Sequence, residues 1–323
     1  LSRLATIFDS KKIIPATMQF VDIAGLVSGA SKGEGLGNKF LSHVMEVDLI
    51  IHVLRCFSDD DISHVSNNVD PIDDFSTISA ELMLKDLESL EKRTPKVLTS
   101  IKKTQGSPKE RKVFEAELEF IKKATAALDA GNIDEVKKIA EEAKENGLHN
   151  IHLLSAKPFL VAANLSEDDF SSNSFVGNEH FKALVAKFGR DRVIPVSAKI
   201  EAELSVLPEE DATMMREELS LDTCGLSEVI RETYKELGLI TFFTCGPKEA
   251  HAWSTKKGST APEAAGEIHS DLQRGFICAE TYNAQDIFDA GSEKGLKESG
   301  KVRKEGKEYI IQDGDLINVL FNV

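Results

Sequence analysis

Four short apolar runs constrain the fold of this chain more than any other feature. They cover residues 18–21, 49–54, 159–163 and 193–196, and turn or breaker residues bound each of them. Nearly continuous hydrophobicity of this kind is typical of strands that are buried on both faces of a parallel sheet. Residues 179–188 carry an apolar helical stripe, which supplies the crossover that parallel strands require. The sequence therefore predicts a doubly wound α/β domain.

A long segment of helical periodicity, residues 77–150, separates the second run from the third. Its apolar residues, such as Phe114, Leu118 and Ile121, alternate spacings of three and four, which predicts an antiparallel coiled-coil hairpin. Asn132 is placed to cap a further helix. We predict an inserted helical arm, whose many Lys and Glu residues indicate first a solvated face and only second a docking surface.

Short alternating runs follow from about Leu239 and predict a small α+β module with one helix, beginning at Pro262. These runs are residues 240–243, 276–279, 309–311 and 317–321. A chain of 323 residues exceeds what one ordinary core supports, so several domains are expected. The predicted division is 1–76 and 151–238 for the two parts of the α/β domain, 77–150 for the arm and 239–323 for the module.

The overall charge excludes one class of partner. A net charge of −15 argues against a protein that coats nucleic acid, including DNA, by bulk electrostatics, although a local basic patch remains compatible with it. The four cysteines show no CxxC spacing, so neither a zinc site nor a disulfide framework is indicated. No apolar run approaches the roughly 20 residues that span a bilayer. We expect a cytoplasmic protein without membrane contact.

The first apolar run is followed by a phosphate-type motif. Asp22 and Gly25 match the DxxG pattern of GTPases, in which the carboxylate reaches Mg²⁺ through water and the glycine amide meets the γ-phosphate. Four letters also fit an ordinary turn after a strand. The glycine-rich residues 29–38 favour the functional interpretation, because so many glycines suit a mobile switch segment.

The third apolar run ends at a base-recognition motif. In the NKxD pattern of GTPases, Asn braces the loop and Asp accepts hydrogen bonds from two guanine donors. This chain has Asn164, with Leu165 in place of Lys and Glu167 in place of Asp. Adenine lacks the exocyclic 2-amino donor of guanine, and its N1 is an acceptor. The altered motif therefore favours adenine as the base.

The fourth apolar run ends at Ser197, Ala198 and Lys199, which match the SAK motif that contacts the base through backbone amides. The same three letters occur at residues 155–157, but that copy precedes a strand. Asp22, Asn164 and Ser197 thus each follow a predicted strand. The carboxyl ends of strands are where open α/β sheets bind ligands, so we expect these three residues to line one crevice.

Together these segments resemble the YchF family of Obg-like ATPases, in the TRAFAC class of GTPases. The resemblance covers essentially the whole chain and rests on DIAGL at 22–26, GASKGEGLGNKFL at 29–41, the arm, NLSE at 164–167, VSAK at 196–199, TFFTCG at 241–246 and DGD at 313–315. The Obg family shares the glycine-rich segment. Obg proteins have an NKxD-like motif at the position where this chain has NLSE, and they lack the C-terminal module.

The resemblance implies a P-loop NTPase-type sheet, a coiled-coil arm and a C-terminal β-grasp domain of the TGS type. It implies a protein that binds ATP with Mg²⁺ and hydrolyses it, with GTP as a poorer substrate. It also implies that the protein associates with the ribosome and regulates translation or stress responses. RNA contact through the arm and the TGS domain is also implied. Leu26 stands where Ras-like GTPases carry glutamine, and His64 matches the histidine implicated in hydrolysis in this family.

The family pattern also includes a GxPNVGKS-type P-loop and a switch threonine, and neither motif occurs in these 323 residues. We therefore expect the natural protein to carry further N-terminal residues, the sheet to be incomplete at its N-terminal side, and this chain alone to be inactive. Two alternatives stay open. One is an Obg-like GTPase in ribosome assembly, and the other is a non-hydrolysing module that acts only through its arm and TGS surfaces.

Overall fold

The computed structural model describes residues 1–23, 43–59, 68–104, 106–148, 151–171, 174–219 and 225–322. They form two compact units, one of Leu1–Phe20 with Tyr234–Val323 and one of Val21–Thr233. The strands are β1 Ile13–Ile14, β2 Ile50–Arg55, β3 Phe159–Asn164, β4 Val193–Val196, β5 Leu239–Cys245, β6 Ala250–Lys256, β7 Phe276–Asn283, β8 Arg303–Glu305 and β9 Asp315–Phe321.

The helices are α1 Ser2–Ile7, α2 Pro71–Lys103, α3 Pro108–Asp129, α4 Ile133–Glu145, α5 Glu167–Ser171, α6 Glu179–Phe188, α7 Ala198–Val206, α8 Glu209–Glu218, α9 Gly225–Glu236, α10 Ala261–Ile268, α11 Ser270–Arg274, α12 Ala284–Ala290 and α13 Glu293–Glu298. Across the described part of the chain, every helix is too short or too polar to cross a lipid bilayer.

The Val21–Thr233 unit contains the predicted parallel sheet. Its strands lie in the order β2-β3-β4, and both neighbouring pairs are parallel. The crossover helix α6 has the bounds that its apolar stripe predicts, and it packs Phe181 and Leu184 against one face of the sheet. Val229 of α9 packs against the other face, beside Leu160 and Ile194. Helices on both faces confirm the α/β fold class.

The arm is a helical hairpin, as predicted, formed by α2 and α3 with α4 packed beside them. Its core joins Leu90 and Val97 of α2 to Phe120 of α3 and Val136 of α4. The predicted cap at Asn132 is present, since its Oδ1 accepts a hydrogen bond of 3.1 Å from the backbone N of Glu135.

The start of the arm corrects the predicted boundary at residue 77. Helix α2 begins at Pro71, because the Oδ1 atom of Asp70 accepts bonds from the backbone nitrogens of Ile72 and Asp73, at 3.0 and 3.1 Å. Proline at the first helical position needs no hydrogen-bond acceptor for its nitrogen and has a backbone angle suited to a helix.

The other unit is built on a mixed six-stranded sheet in the order β1-β6-β5-β9-β7-β8. One face packs Phe242 and Ile317 against α10, which begins with a capping box between Thr260 and Glu263. The module has four helices, α10 to α13, where the sequence predicted one. The predicted strand at residues 309–311 is only an isolated bridge between Thr260 and Ile310.

The first 20 residues also depart from the predicted domain division. Strand β1 pairs with β6 through Ile13 and Ala250, and Leu4 of α1 is buried in a cluster with Ile287 and Leu296. These residues therefore belong with the C-terminal unit. The predicted strand at residues 18–21 does not form within the described chain, and Phe20 and Val21 are 48% and 44% exposed.

Candidate nucleotide-binding site

The two motifs that follow β3 and β4 meet at one edge of the parallel sheet. Asn164 is the last residue of β3 and pairs in register with Val196, the last residue of β4. The Oδ1 atom of Asn164 accepts a hydrogen bond of 3.0 Å from the backbone N of Ala198. The backbone N of Leu165 donates to the carbonyl of Val196 at 2.8 Å. The predicted role of Asn164 as a brace therefore has a specific partner in the next loop.

Glu167 and Lys199 form an ion pair that the motif analysis missed. The Nζ atom of Lys199 lies 2.5 Å from Oε2 of Glu167. This hydrogen bond, and then the charge of Glu167, raise the pKa of Lys199. Each residue stands three positions beyond the paired strand ends Asn164 and Val196. The sequence did contain a signal for this ion pair, since the two opposite charges lie the same number of residues beyond the ends of neighbouring strands.

Leu165 and Ser197 are both buried, with different consequences. Leu165 is 2% exposed and packs in the cluster that contains Phe170 and Leu54. Its side chain therefore points into the core, which does not support the prediction that Leu165 contacts nucleotide. Ser197 is 1% exposed, and its Oγ has no hydrogen-bond partner in the described part of the chain. A buried hydroxyl without a partner is unfavourable by roughly 1–3 kcal/mol.

The carboxyl end of β2 continues this edge through residues that the sequence analysis did not single out. The backbone N of Cys56 donates to the carbonyl of Asn164 at 2.8 Å. The side-chain amide of Asn178 donates to the Cys56 carbonyl and to Asp169, at 2.9 and 3.0 Å. Burial, and then the charge of Asp169, raise the pKa of the Cys56 thiol to about 12. The thiol is therefore protonated at neutral pH and contributes to the packing of the core.

The residue beside Asp22 packs away from this edge. Ile23, the next residue, packs against the cluster of Val44, Leu82 and Leu154. That cluster lies at the amino ends of β2 and β3, whereas Asn164 and Ser197 lie at the carboxyl ends of β3 and β4. The structure therefore joins the loops after β3 and β4, and a crevice shared by Asp22 with these two loops stays a prediction.

Gly25 and His64 lie outside the described residues, and their roles stay predictions. Asp22 is exposed and offers one carboxylate. Among the described residues, no group of three His, Cys, Asp or Glu side chains is arranged to hold a metal ion. Mg²⁺ usually keeps several waters and takes only one or two protein carboxylates beside substrate phosphates, so a lone Asp is a suitable partial ligand.

The chain is similar to known protein families and to a characterised relative. A family model described as "50S ribosome-binding GTPase" matches residues 5–103, and the model YchF-GTPase_C, described as "Protein of unknown function (DUF933)", matches residues 239–322. The ribosome-binding ATPase YchF of Bacillus subtilis is 46% identical over 325 residues, which cover 100% of this chain and 86% of that protein.

A second relative and a solved structure are also similar to this chain over nearly its whole length. The ribosome-binding ATPase YchF of Escherichia coli O157:H7 is 44% identical, again over 100% of this chain and 86% of that protein. The structure of the Schizosaccharomyces pombe YchF GTPase aligns with a TM-score of 0.78 and 34% identity, covering 99% of this chain and 85% of that one.

Proposed function

The chain belongs to the YchF family, and from this premise we propose that it is a ribosome-associated protein that binds nucleotide and hydrolyses ATP, with GTP a poorer substrate. Its action is that of a nucleotide-dependent regulator of translation or of a stress response in the cytoplasm. The domain assignment that goes with this function is an α/β nucleotide domain in two parts, the inserted arm and the TGS module. Residues 1–20 are grouped with the module.

One observation carries the proposal: the base-reading loops after β3 and β4 are linked by the Asn164 to Ala198 hydrogen bond. In this role, the two loops would present one polar edge to a purine. Guanine recognition in the NKxD pattern needs a carboxylate that is free to accept from two donors of the base. Here Glu167 is occupied by Lys199 at 2.5 Å, and Leu165 is turned into the core. Both features support a site that does not select guanine.

The remaining site assignments extend this proposal to hydrolysis. Asp22 would hold Mg²⁺ through water, and the metal would offset the negative charge of the phosphates. His64 would take part in hydrolysis, since Leu26 has no polar group with which to orient water. Arm and TGS surfaces would contact ribosomal RNA.

The direct test is to titrate the natural full-length protein with ATP and with GTP by calorimetry, in the presence of Mg²⁺, and to measure phosphate release with and without ribosomes. We expect tighter binding and faster turnover of ATP, and sedimentation with ribosomes. Strong preference for GTP would favour the Obg-like alternative. Ribosome binding without nucleotide binding or turnover would favour a non-hydrolysing module.

Lys199→Met tests how the base is chosen. In the natural full-length protein, the substitution removes the Lys199 partner of Glu167 and leaves the Asn164 to Ala198 bond in place. We expect the ratio of ATP to GTP affinity to fall about tenfold, because a carboxylate that no longer pairs with Lys199 accepts more readily from guanine and repels the acceptor N1 of adenine. Calorimetric titration of both nucleotides measures this ratio.

Lys182→Met is the matched control, because Lys182 pairs with Glu179 on the exposed surface of α6 at 2.9 Å. It should leave the ratio unchanged. Adding Glu167→Gln to Lys199→Met should cancel the shift, since the negative charge of the carboxylate is then gone. A ratio that is the same in Lys199→Met and in the parent protein would refute the assigned role of the pair.

A further inference from the structure

Residues 1–14, here called the strap, are held on the surface of the C-terminal module at both ends. At one end, Leu4 of α1 is 1% exposed and packs in a cluster with Ile287 and Leu296. The Cζ atom of Arg3 lies 4.3 Å from the centre of the Phe288 ring, which adds a cation–π contact. These contacts join α1 to helices α12 and α13 of the module.

The other end of the strap is fixed by hydrogen bonds to β6 and to the loop that precedes it. The Oγ atom of Ser10 donates to the carbonyl of Gly246 at 2.7 Å. The backbone N of Ala250 donates to the carbonyl of Lys12 at 2.9 Å. Strand β1 then pairs in parallel with β6 and forms one edge of the six-stranded sheet. The strap therefore spans the module from α12 to the sheet edge.

The strap attaches to the module as a single piece. Helix α1 has six residues and β1 has two. Isolated helices shorter than about 12–15 residues are marginal in water, and even an isolated two-stranded hairpin is barely stable. Both elements therefore exist only while they are packed on the module. This gives the strap two states, attached and released.

The proposed Mg²⁺ ligand follows the strap closely in sequence. Asp22 lies eight residues after Ile14, the last residue of β1. Residues 15–20 form no helix or strand, and most of them are exposed. A tether of eight residues spans at most about 28 Å. Pro15 also fixes the first φ angle of this tether. An attached strap therefore limits where the loop at Asp22 can lie, and release of the strap removes that limit.

We propose that the strap couples the loop at Asp22 to the C-terminal module, so that the two change state together. This inference rests on the proposed Mg²⁺ and phosphate role of that loop. A partner that displaces α1 or β1 from the module frees the loop and thereby lowers hydrolysis. Because linked equilibria are reciprocal, Mg²⁺ and nucleotide that order the loop favour the attached strap.

The single tryptophan of the chain is placed to report the state of the strap. Trp253 of β6 stacks on His251, with their ring centres 3.7 Å apart. His251 pairs in register with Ile14 of β1. Release of β1 exposes this edge of β6 to water and changes the surroundings of the stacked rings. The emission of Trp253 therefore distinguishes the attached strap from the released one.

The test uses two variants of the natural full-length protein and two matched controls. Leu4→Ala weakens the attachment of the strap, whereas Gly-Ser-Gly-Ser inserted after Pro15 keeps the attachment and lengthens the tether. Ile311→Ala is the first control, because it truncates an equally buried side chain in the cluster against α10. The second control carries the same insertion after Lys307, in an exposed turn of the module. Circular dichroism checks that all four variants fold.

Hydrogen exchange of residues 18–26, followed by mass spectrometry without nucleotide, measures the freedom of the loop. We expect exchange to be faster on the order of tenfold in Leu4→Ala and in the insertion after Pro15. Both controls should follow the parent protein. Trp253 emission should change in Leu4→Ala and stay constant in the insertion after Pro15. Equal exchange in the parent and in that insertion, or the same acceleration in Ile311→Ala, would overturn the proposal.

The reverse direction of the coupling is tested with ATP and Mg²⁺. Their addition should shift Trp253 emission in the parent protein and leave it constant in the insertion after Pro15. Equal shifts in the two proteins would contradict the coupling. Calorimetric titration of the parent with ATP tests the nucleotide function separately. Absence of ATP binding would count against that function, while the exchange measured without nucleotide would still decide whether the strap controls the loop.

Discussion

Asp86→Ala should lower the free energy of unfolding of the Val21–Thr233 unit by about 3 kcal/mol, because it leaves buried donors without an acceptor. Asp86 lies on α2 and is 1% exposed. Its carboxylate accepts hydrogen bonds from the backbone nitrogens of Leu154 and Ser155, at 2.8 and 2.9 Å, and from the Ser155 hydroxyl at 2.6 Å. It therefore anchors the chain that leaves the arm and enters β3.

Urea unfolding followed by circular dichroism measures this change. Asp73→Ala is the matched control, because Asp73 is exposed in the first turn of the same helix. The control should lose no more than about 1 kcal/mol, through the helix dipole. Asp86→Asn should fall between the two, since it keeps one acceptor oxygen and places an NH₂ group against a donor. A loss for Asp86→Ala as small as that of Asp73→Ala would mean that the three bonds contribute little.

The parallel sheet could be predicted because its signal is local. A strand that is buried on both faces is apolar at nearly every position, and β3 and β4 are buried at almost all of theirs. Helix α6 could be predicted with its bounds because Asn178 caps it and Gly189, with φ of 87°, ends it. In each of these elements, burial, periodicity and capping agree on the same structure.

The first 20 residues were assigned to the wrong unit because their partners lie far away in sequence. Leu4 and its neighbours form a short amphipathic helix whose pattern is satisfied by any apolar surface. The surface that it uses is formed by Ile287, Leu296 and Leu316. Strand β1 has only two residues and draws its pairing from β6. Periodicity gives the type of such an element and contains no information about its partner.

The candidate site shows the same division between local and distant signals. The meeting of Asn164 with the Ser197 loop follows from adjacent parallel strands that end in register, so motif and topology together were sufficient. The inward direction of Leu165 could not be read from a motif comparison, which treats it as a replacement for an exposed lysine. The Glu167 to Lys199 pair depended on strand order, which no single motif contains.

Protonation of His52 makes the stability of the Val21–Thr233 unit depend on pH. It lies in β2 with 8% of its surface exposed, and its ring centre is 4.6 Å from that of Phe75 and 5.8 Å from that of Phe159. Burial lowers its pKa from 6.5 to about 4. The folded protein therefore holds His52 neutral over a range in which the unfolded chain binds a proton there.

The sign of the pH effect follows from that difference. Between the two pKa values the unfolded state binds more protons, so stability is complete above pH 6.5 and is lost as the pH falls toward 4. The shift corresponds to about 3 kcal/mol. Burial also raises the pKa of Asp86, which acts in the opposite direction, since stability from that group declines as the pH rises above its unfolded value.

The contribution of His52 is isolated by comparing the parent protein with His52→Leu, because Asp86 is common to both. Between pH 6.5 and 4, the parent should lose about 3 kcal/mol of unfolding free energy more than His52→Leu does. Urea unfolding at a series of pH values measures the two curves. His43→Leu, at an exposed position, should follow the parent curve. Parallel curves for the parent and His52→Leu would show that His52 ionises in the folded core as readily as it does in the unfolded chain.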